Sequence, residues 1–155
     1  MNKSFTIIEV IVSITILTVG VLASVRLMNY FYAYNSISNS RLAAAYLAQE
    51  GIEIVKNIRD GNWLEEITWN TNLGNGQYEG DYNSINTLNS YTNGYLAIDS
   101  NGLYATSSTL DVFQREIQIC TSTDDVIYVS STVSWVESGK NYDIKTEGEL
   151  CNWYQ

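Results

Sequence analysis

Glu9 is the residue in this sequence with the clearest chemical meaning, because it is the only charged residue in an apolar run that covers residues 5–25. An ionised carboxylate inside hydrocarbon costs about 3 kcal/mol unless a cation neutralises it. A segment that served only as an anchor would carry Leu or Val at this position. Glu9 therefore indicates a helix that leaves the lipid and finds a partner for its charge.

A cation for Glu9 would appear if the chain were cut between Ser4 and Phe5, because Phe5 would then carry a new α-amino group. Parallel helices staggered by about one turn would place the amine of one chain beside the carboxylate of another, with little water to weaken the attraction. A competing cut would follow Ala23, at a small-x-small pattern typical of signal peptidase sites, and would release a secreted domain. The charge in the apolar run and the helical pattern that continues past Ala23 favour the cut before Phe5.

The segment Ser4-Phe5-Thr6-Ile7-Ile8-Glu9 resembles the processing site of type IV prepilins and type II secretion pseudopilins. In that family a prepilin peptidase cuts before the Phe, the new N-terminus is methylated, and a Glu follows at this spacing. The chain departs from the family at Ser4, where Gly is usual. The resemblance implies that residues 1–4 are a leader, that Ser4 and Phe5 are the processing residues, and that Phe5 and Glu9 form the assembly contact.

A long N-terminal helix must carry these residues. Residues 5–26 form its hydrophobic half, which is long enough to span hydrocarbon at 1.5 Å per residue. Small and hydroxylated residues within this half would let other helices approach closely.

Residues 27–60 continue the helix as an amphipathic half, and Asp60-Gly61 predicts its end, with Gly61 as a left-handed cap. Gly51 lies on the apolar face, where we weigh a close approach of a strand against a merely tolerated helix glycine. The apolar face recurs at steps of four and three and consists of Ala44, Leu47, Ala48, Gly51, Ile54, Val55 and Ile58. Residues 42–53 and 57–60 are similar to the distal first helix of PilV-type minor pilins.

Residues 61–155 read as a C-terminal β domain. Residues 63–109 are polar and rich in turn signals, and residues 95–105 within them predict a hairpin. By the resemblance, residues 63–109 correspond to the variable loop of pilins. Alternating residues 112–120, 126–136 and 141–151 predict three antiparallel strands joined by short turns. We therefore expect an α+β chain in which one long N-terminal α-helix packs on a three- to four-stranded antiparallel β-sheet, and the resemblance implies that this is the type IV pilin fold.

The two cysteines, Cys120 and Cys151, form an even count, which predicts one disulfide in a translocated domain. Two buried free thiols are the alternative. No metal-type spacing such as C-x-x-C is present, and we expect no metal or other cofactor.

Candidate sites elsewhere in the sequence have plainer explanations. Asp99 and Asn101, with Asp81 and Glu79, could offer oxygen ligands to calcium, but Asp-Ser-Asn-Gly is more typical of a hairpin turn. The adjacent carboxylates Glu65-Glu66 and Asp124-Asp125 point in different directions on any regular element and favour solvated loops over an acid–base pair. The tyrosines of the loop zone could form an adhesive patch, but such residues more often cover a small sheet. Since the chain also has no His, we do not expect an enzyme.

The formal charge of −9 argues against direct binding to nucleic acid or anionic lipid. The resemblance implies a minor pilin: a single-pass precursor in the bacterial inner membrane with its C-terminal domain outside the cytoplasm, and a cell-surface pilus subunit after assembly. It also implies other pilins, the prepilin peptidase, and an assembly platform with its ATPase as partners. A type II secretion pseudopilin and an adhesive ectodomain on a permanent membrane anchor remain as alternatives.

Overall fold

The computed structural model describes residues 6–123 and 125–153 and has an α+β architecture with one long N-terminal helix and an antiparallel sheet. The helix, α1, comprises Ile7–Leu64. The strands are β1 (Gly76–Glu79), β2 (Asn89–Ser90), β3 (Tyr95–Ile98), β4 (Tyr104–Ser107), β5 (Phe113–Thr123), β6 (Val126–Glu137) and β7 (Lys140–Cys151).

The chain divides into two units, one ending at Ser40 and one beginning at Arg41. The first unit contains the N-terminal part of α1, and the second contains the rest of α1 and all seven strands. The division therefore falls inside the helix segment that we predicted to be amphipathic.

The distal part of α1 buries one face on the sheet of the second unit. The buried helix residues include all seven of the predicted apolar positions, so the helical periodicity is confirmed. One cluster joins Ile52, Val55 and Ile58 to strand residues such as Ile117 and Ile127, and a second joins Ala44 and Leu47 to Phe113, Val133 and Trp135.

The predicted end of the helix at Gly61 is wrong. Gly61 has no positive φ, α1 runs on to Leu64, and Glu66 takes the left-handed conformation with φ 58°. The amide of Glu66 donates to the carbonyl of Trp63 at 3.2 Å, and the amide of Ile67 donates to that of Asn62 at 3.0 Å, which is the Schellman pattern. Buried Asn62 explains the extra turn, because its side-chain amide donates to the carbonyls of Trp69 and Thr71.

The sheet has seven strands among the residues that the structure describes, so the predicted count of three to four is also wrong. The three long predicted strands and the hairpin of β3 and β4 are present, and β1 and β2 were not foreseen within the turn-rich segment. β5 is central, because it pairs with β1, β3 and β6. β7 pairs only with β6 within the described residues, through a tight turn in which Ser138 and Gly139 both have positive φ.

Candidate functional site

Glu9 lies in the first turn of α1, and its backbone amide takes part in the N-terminal cap of that helix. The backbone amide of Glu9 lies 3.1 Å from the carbonyl oxygen of Thr6 and 3.4 Å from its Oγ1. Thr6 is therefore the N-cap and Glu9 the third helical residue, the spacing of a capping box. The sequence carried this signal in Thr6-x-x-Glu9, and our sequence reasoning missed it.

The helix around Glu9 presents apolar side chains to its surroundings. Ile7 is 81% exposed and Leu17 is 67% exposed, and every described residue up to Tyr34 is classed as exposed. α1 is long and apolar enough to cross a membrane, which is compatible with a single-pass membrane protein. The exposed surface would be costly in water, so this part of α1 needs lipid or other protein around it.

Hydroxyl groups in the apolar part of α1 bond to the helix itself. Ser13 Oγ donates to the carbonyl of Glu9 at 2.7 Å. The hydroxyls of Thr15, Thr18 and Ser24 likewise donate to backbone carbonyls one turn earlier in the helix. A hydroxyl that is already satisfied in this way can enter an apolar environment without losing a hydrogen bond. The polar residues in this segment are therefore compatible with burial in lipid or in a helix bundle.

Ser4 and Phe5, the predicted processing residues, lie outside the described residues. The predicted contact between the Phe5 amine and Glu9 stays a prediction. Glu9 itself has no partner cation among the ion pairs of the described chain.

The structure does not form the predicted disulfide, because Cys120 and Cys151 are free and exposed. Cys120 on β5 faces Tyr128 on β6, and Tyr128 faces Glu149 on β7, so β6 separates the two cysteines. Two strand spacings amount to about 10 Å, beyond the roughly 7 Å between Cα atoms that a disulfide can bridge. Partial desolvation and the neighbouring Glu149 carboxylate raise the pKa of the Cys151 thiol.

The residues weighed as calcium ligands hold loops together. Asp99 accepts hydrogen bonds from the amides of Asn101 and Leu103 and from the Tyr82 hydroxyl, and the Tyr82 bond is the main cause that lowers its pKa to about 2. Asp81 accepts from the amide of Thr106, and buried Glu79 accepts from those of Thr92 and Gly94. Across residues 6–123 and 125–153, no group of three or more acidic or cysteine side chains is arranged to hold a metal ion.

The remaining candidates are dispersed. Glu65 and Glu66 are exposed at the end of α1, Asp125 is exposed in the turn before β6, and Asp124 lies outside the described residues. Two tyrosines of the loop zone, Tyr78 and Tyr104, pack against the core and do not form an open patch.

Sequence reasoning missed the most buried charge of the second unit, Arg115, which is 2% exposed. Its guanidinium donates to the carbonyl of Leu47 at 2.9 Å, to the carboxylate of Glu50 at 3.1 Å, and to the carbonyl of Gly80. Burial lowers the pKa of Arg115, and Glu50 opposes that effect. Arg115 lies on the same face of β5 as Phe113, Ile117 and Ile119, because side chains two positions apart on a strand share a face. This spacing was the signal that could have predicted its burial.

No family model, curated protein or solved structure matches this chain.

Proposed function

We propose that this protein is a structural subunit, of the minor pilin type, of a type IV pilus or a related filament. The observation that carries the proposal is a helix that is apolar from Ile7 to Val25 and exposed as far as Tyr34, with one carboxylate in its first turn. The resemblance of residues 4–9 to a prepilin processing site and of residues 42–60 to PilV-type pilins supports it.

The proposed mechanism depends on two environments for the same helix. In the precursor, the apolar segment lies in the inner membrane and the second unit lies outside the cytoplasm. After a cut before Phe5, the new amine of one subunit pairs with Glu9 of another. The apolar side chains then exchange lipid for neighbouring helices, so that assembly loses little hydrophobic burial, and the ion pair favours the assembled state.

The partners of such a subunit are other pilins, a prepilin peptidase, and an assembly platform with its ATPase. No described residue set suggests catalysis, and the acidic chain would depend on protein contacts and not on binding to nucleic acid.

The deciding experiment separates the charge of Glu9 from its capping role. Glu9→Gln keeps a side chain suited to the third position of a capping box and removes the charge, whereas Glu9→Val removes both. We expect both variants to insert in the membrane normally and to enter fibres at a level lower by about tenfold or more, since a missing ion pair of this kind is worth over 1.4 kcal/mol. The measurement is the amount of subunit in sheared fibres relative to the membrane fraction.

Glu65→Gln is the matched control, because it removes an exposed carboxylate from the far end of α1 without touching the apolar segment. N-terminal sequencing of the mature subunit should find a methylated Phe5. If Glu9→Gln entered fibres like the parent, the subunit proposal would fail. If all forms stayed in the membrane with an intact Met1, a permanently anchored ectodomain would be the better explanation.

A further inference from the structure

Arg26 is a second isolated charge in the first unit. Between residues 6 and 40, the only charged residues are Glu9 and Arg26. Arg26 is exposed, and no hydrogen bond or ion pair engages it within the described chain. Its neighbours Val25, Leu27 and Met28 are apolar and 50–56% exposed, so a partner helix that covers them also approaches the guanidinium.

Packing this helix segment among other subunits therefore requires a carboxylate for Arg26. A buried charge without a partner costs several kcal/mol, of the order of 3–5 when one member of a pair is missing. The apolar segment of a neighbour offers only Glu9, which the proposed function assigns to the Phe5 amine. A carboxylate on the second unit of another copy would supply the missing charge.

The second unit has a groove of about 430 Å³ with suitable chemistry, between α1 and the loop that follows β1. Its lining includes Glu50 and Glu53 from the helix, Asp81 from the loop, and Ile85, which is 74% exposed. The groove combines carboxylates with an apolar rim, which suits a guanidinium on an apolar helix.

The charges around this groove do not balance. Glu50 pairs with buried Arg115 at 3.1 Å, and Glu53 pairs with Lys56 at 2.7 Å. Within the described part of the chain, Asp81 receives only amide hydrogen bonds, from Asn83 and Thr106 at 2.9 Å each, and acts on Arg115 as a more remote charge. Three carboxylates thus face two cations, and one more cation would neutralise the groove.

We infer that Arg26 of one copy binds in this groove of a second copy. The inference rests on the proposed function, because it places the apolar helix of one subunit against the second unit of another. Arg26 and Glu53 are 27 positions apart along the chain, whereas Phe5 and Glu9 are four apart. The two contacts therefore involve two different neighbours.

Charge reversal tests the contact in full-length protein. Arg26→Glu and Glu53→Lys should each lower the subunit content of fibres by about tenfold or more, and the combined variant should recover most of the loss. Lys145→Glu makes the same change of charge on the exposed face of β7 and should leave fibres unaffected. Arg26→Gln is measured beside Arg26→Glu, because it removes the positive charge without adding a carboxylate next to the apolar segment. Membrane insertion of each variant is measured separately, so that a defect in insertion is not taken for a defect in assembly.

Cysteine cross-linking provides an independent measurement. In a Cys120→Ser, Cys151→Ser background that still forms fibres, Arg26→Cys combined with Glu53→Cys should yield disulfide-linked copies on mild oxidation. Non-reducing electrophoresis separates linked copies from a link within one chain, because only a link between copies doubles the mass. Arg26→Cys with Lys145→Cys is the control pair and should remain monomeric.

Unchanged fibres from Arg26→Glu, or no cross-linking in intact fibres, would overturn this inference. If Glu9→Gln still blocked assembly in the same experiment, the proposed function would stand without it. If Glu9→Gln also assembled normally, both would fall. Cross-linking in the membrane before assembly would assign the contact to a membrane dimer and would also contradict the fibre contact.

Discussion

At the scale of single residues, the second unit depends on polar groups placed inside its core. Arg115 reaches across from β5 to the Leu47 carbonyl and the Glu50 carboxylate of α1, and Gly51 lies beside this contact. A Cβ atom on Gly51 would lie 2.3 Å from Ser131 Oγ and 3.2 Å from Arg115 Cδ. The close approach of a strand that we weighed for Gly51 is therefore present, and the glycine is required by the sheet.

Gly51→Ala should destabilise the protein by about 2 kcal/mol, because Ser131 and the Arg115 stem must move to admit the methyl group. The measurement is urea unfolding of the full chain in detergent, followed by tryptophan fluorescence. Gly61→Ala is the matched control, since Gly61 is also within α1 and a Cβ there would meet nothing within 4 Å. We expect that control to be neutral or more stable by about 0.5–1 kcal/mol. Equal effects from the two substitutions would contradict the packing argument.

At the scale of elements, the hairpin of β3 and β4 is organised by one carboxylate. Asp99 accepts from the amides of Asn101 and Leu103 in the turn, and Gly102 supplies a φ of 81°. The Tyr82 hydroxyl, from the loop after β1, donates to the same carboxylate. The turn predicted from Asp99-Ser-Asn-Gly102 is thus confirmed, and its acid also ties a distant loop to the hairpin.

The depressed pKa of Asp99 predicts a loss of stability in acid. Its pKa is 3.8 in the reference state and about 2 in the fold, so the folded state favours the ionised form. The stabilisation is complete above the unfolded pKa and disappears as pH falls through the folded one. Compared with Asp99→Asn, the parent should hold a constant stability advantage from neutral pH to about pH 5 and lose it by about pH 2. Urea unfolding across this pH range measures the difference.

Tyr82→Phe tests the cause of that shift, because the tyrosine hydroxyl is its largest contributor. This variant should lose less stability on acidification than the parent, with the remaining loss set by the turn amides. Parallel pH profiles for the parent and Asp99→Asn would contradict the assignment.

The elements that the sequence predicted correctly are those whose signals are local. The helix face and the alternation in β5, β6 and β7 are read directly from residue spacing. The end of α1 was misplaced because Asn62 bonds to carbonyls seven and nine residues later, which no local pattern reveals. β1 was missed because it contains the polar Glu79, whose burial depends on amides of the distant Thr92 and Gly94.

At the scale of the whole molecule, the pairing of strands decides which side chains can meet. A count of two cysteines predicted a disulfide, and the order of β5, β6 and β7 keeps the two thiols apart. Arg115 illustrates the same limit, since its partners on α1 lie 65 and 68 positions away along the chain. The candidate site at Glu9 was identifiable from sequence because its signal, one charge in an apolar run, is local.

The cysteine arrangement predicts that native, unreduced monomer carries two free thiols. Alkylation without reductant should modify both Cys120 and Cys151. Cys151 should react more slowly near neutral pH than an unperturbed thiol and gain rate only at higher pH, because its raised pKa leaves less thiolate. Intact-mass spectrometry measures the adducts, and Cys151→Ser should remove one of them. A monomer that resists alkylation and is lighter by two hydrogens would show an intrachain disulfide and a different register of β5 or β7.

β7 pairs with β6 alone among the described strands, which leaves the other edge of a 12-residue strand open. Its solvent-facing side chains include Asp143, Lys145, Glu147 and Glu149, three acids and one base. An open strand edge invites another chain to join it, and rows of charge discourage this. The charged side chains of β7 therefore oppose strand pairing between second units of different copies, so that amyloid-like association through this edge is disfavoured.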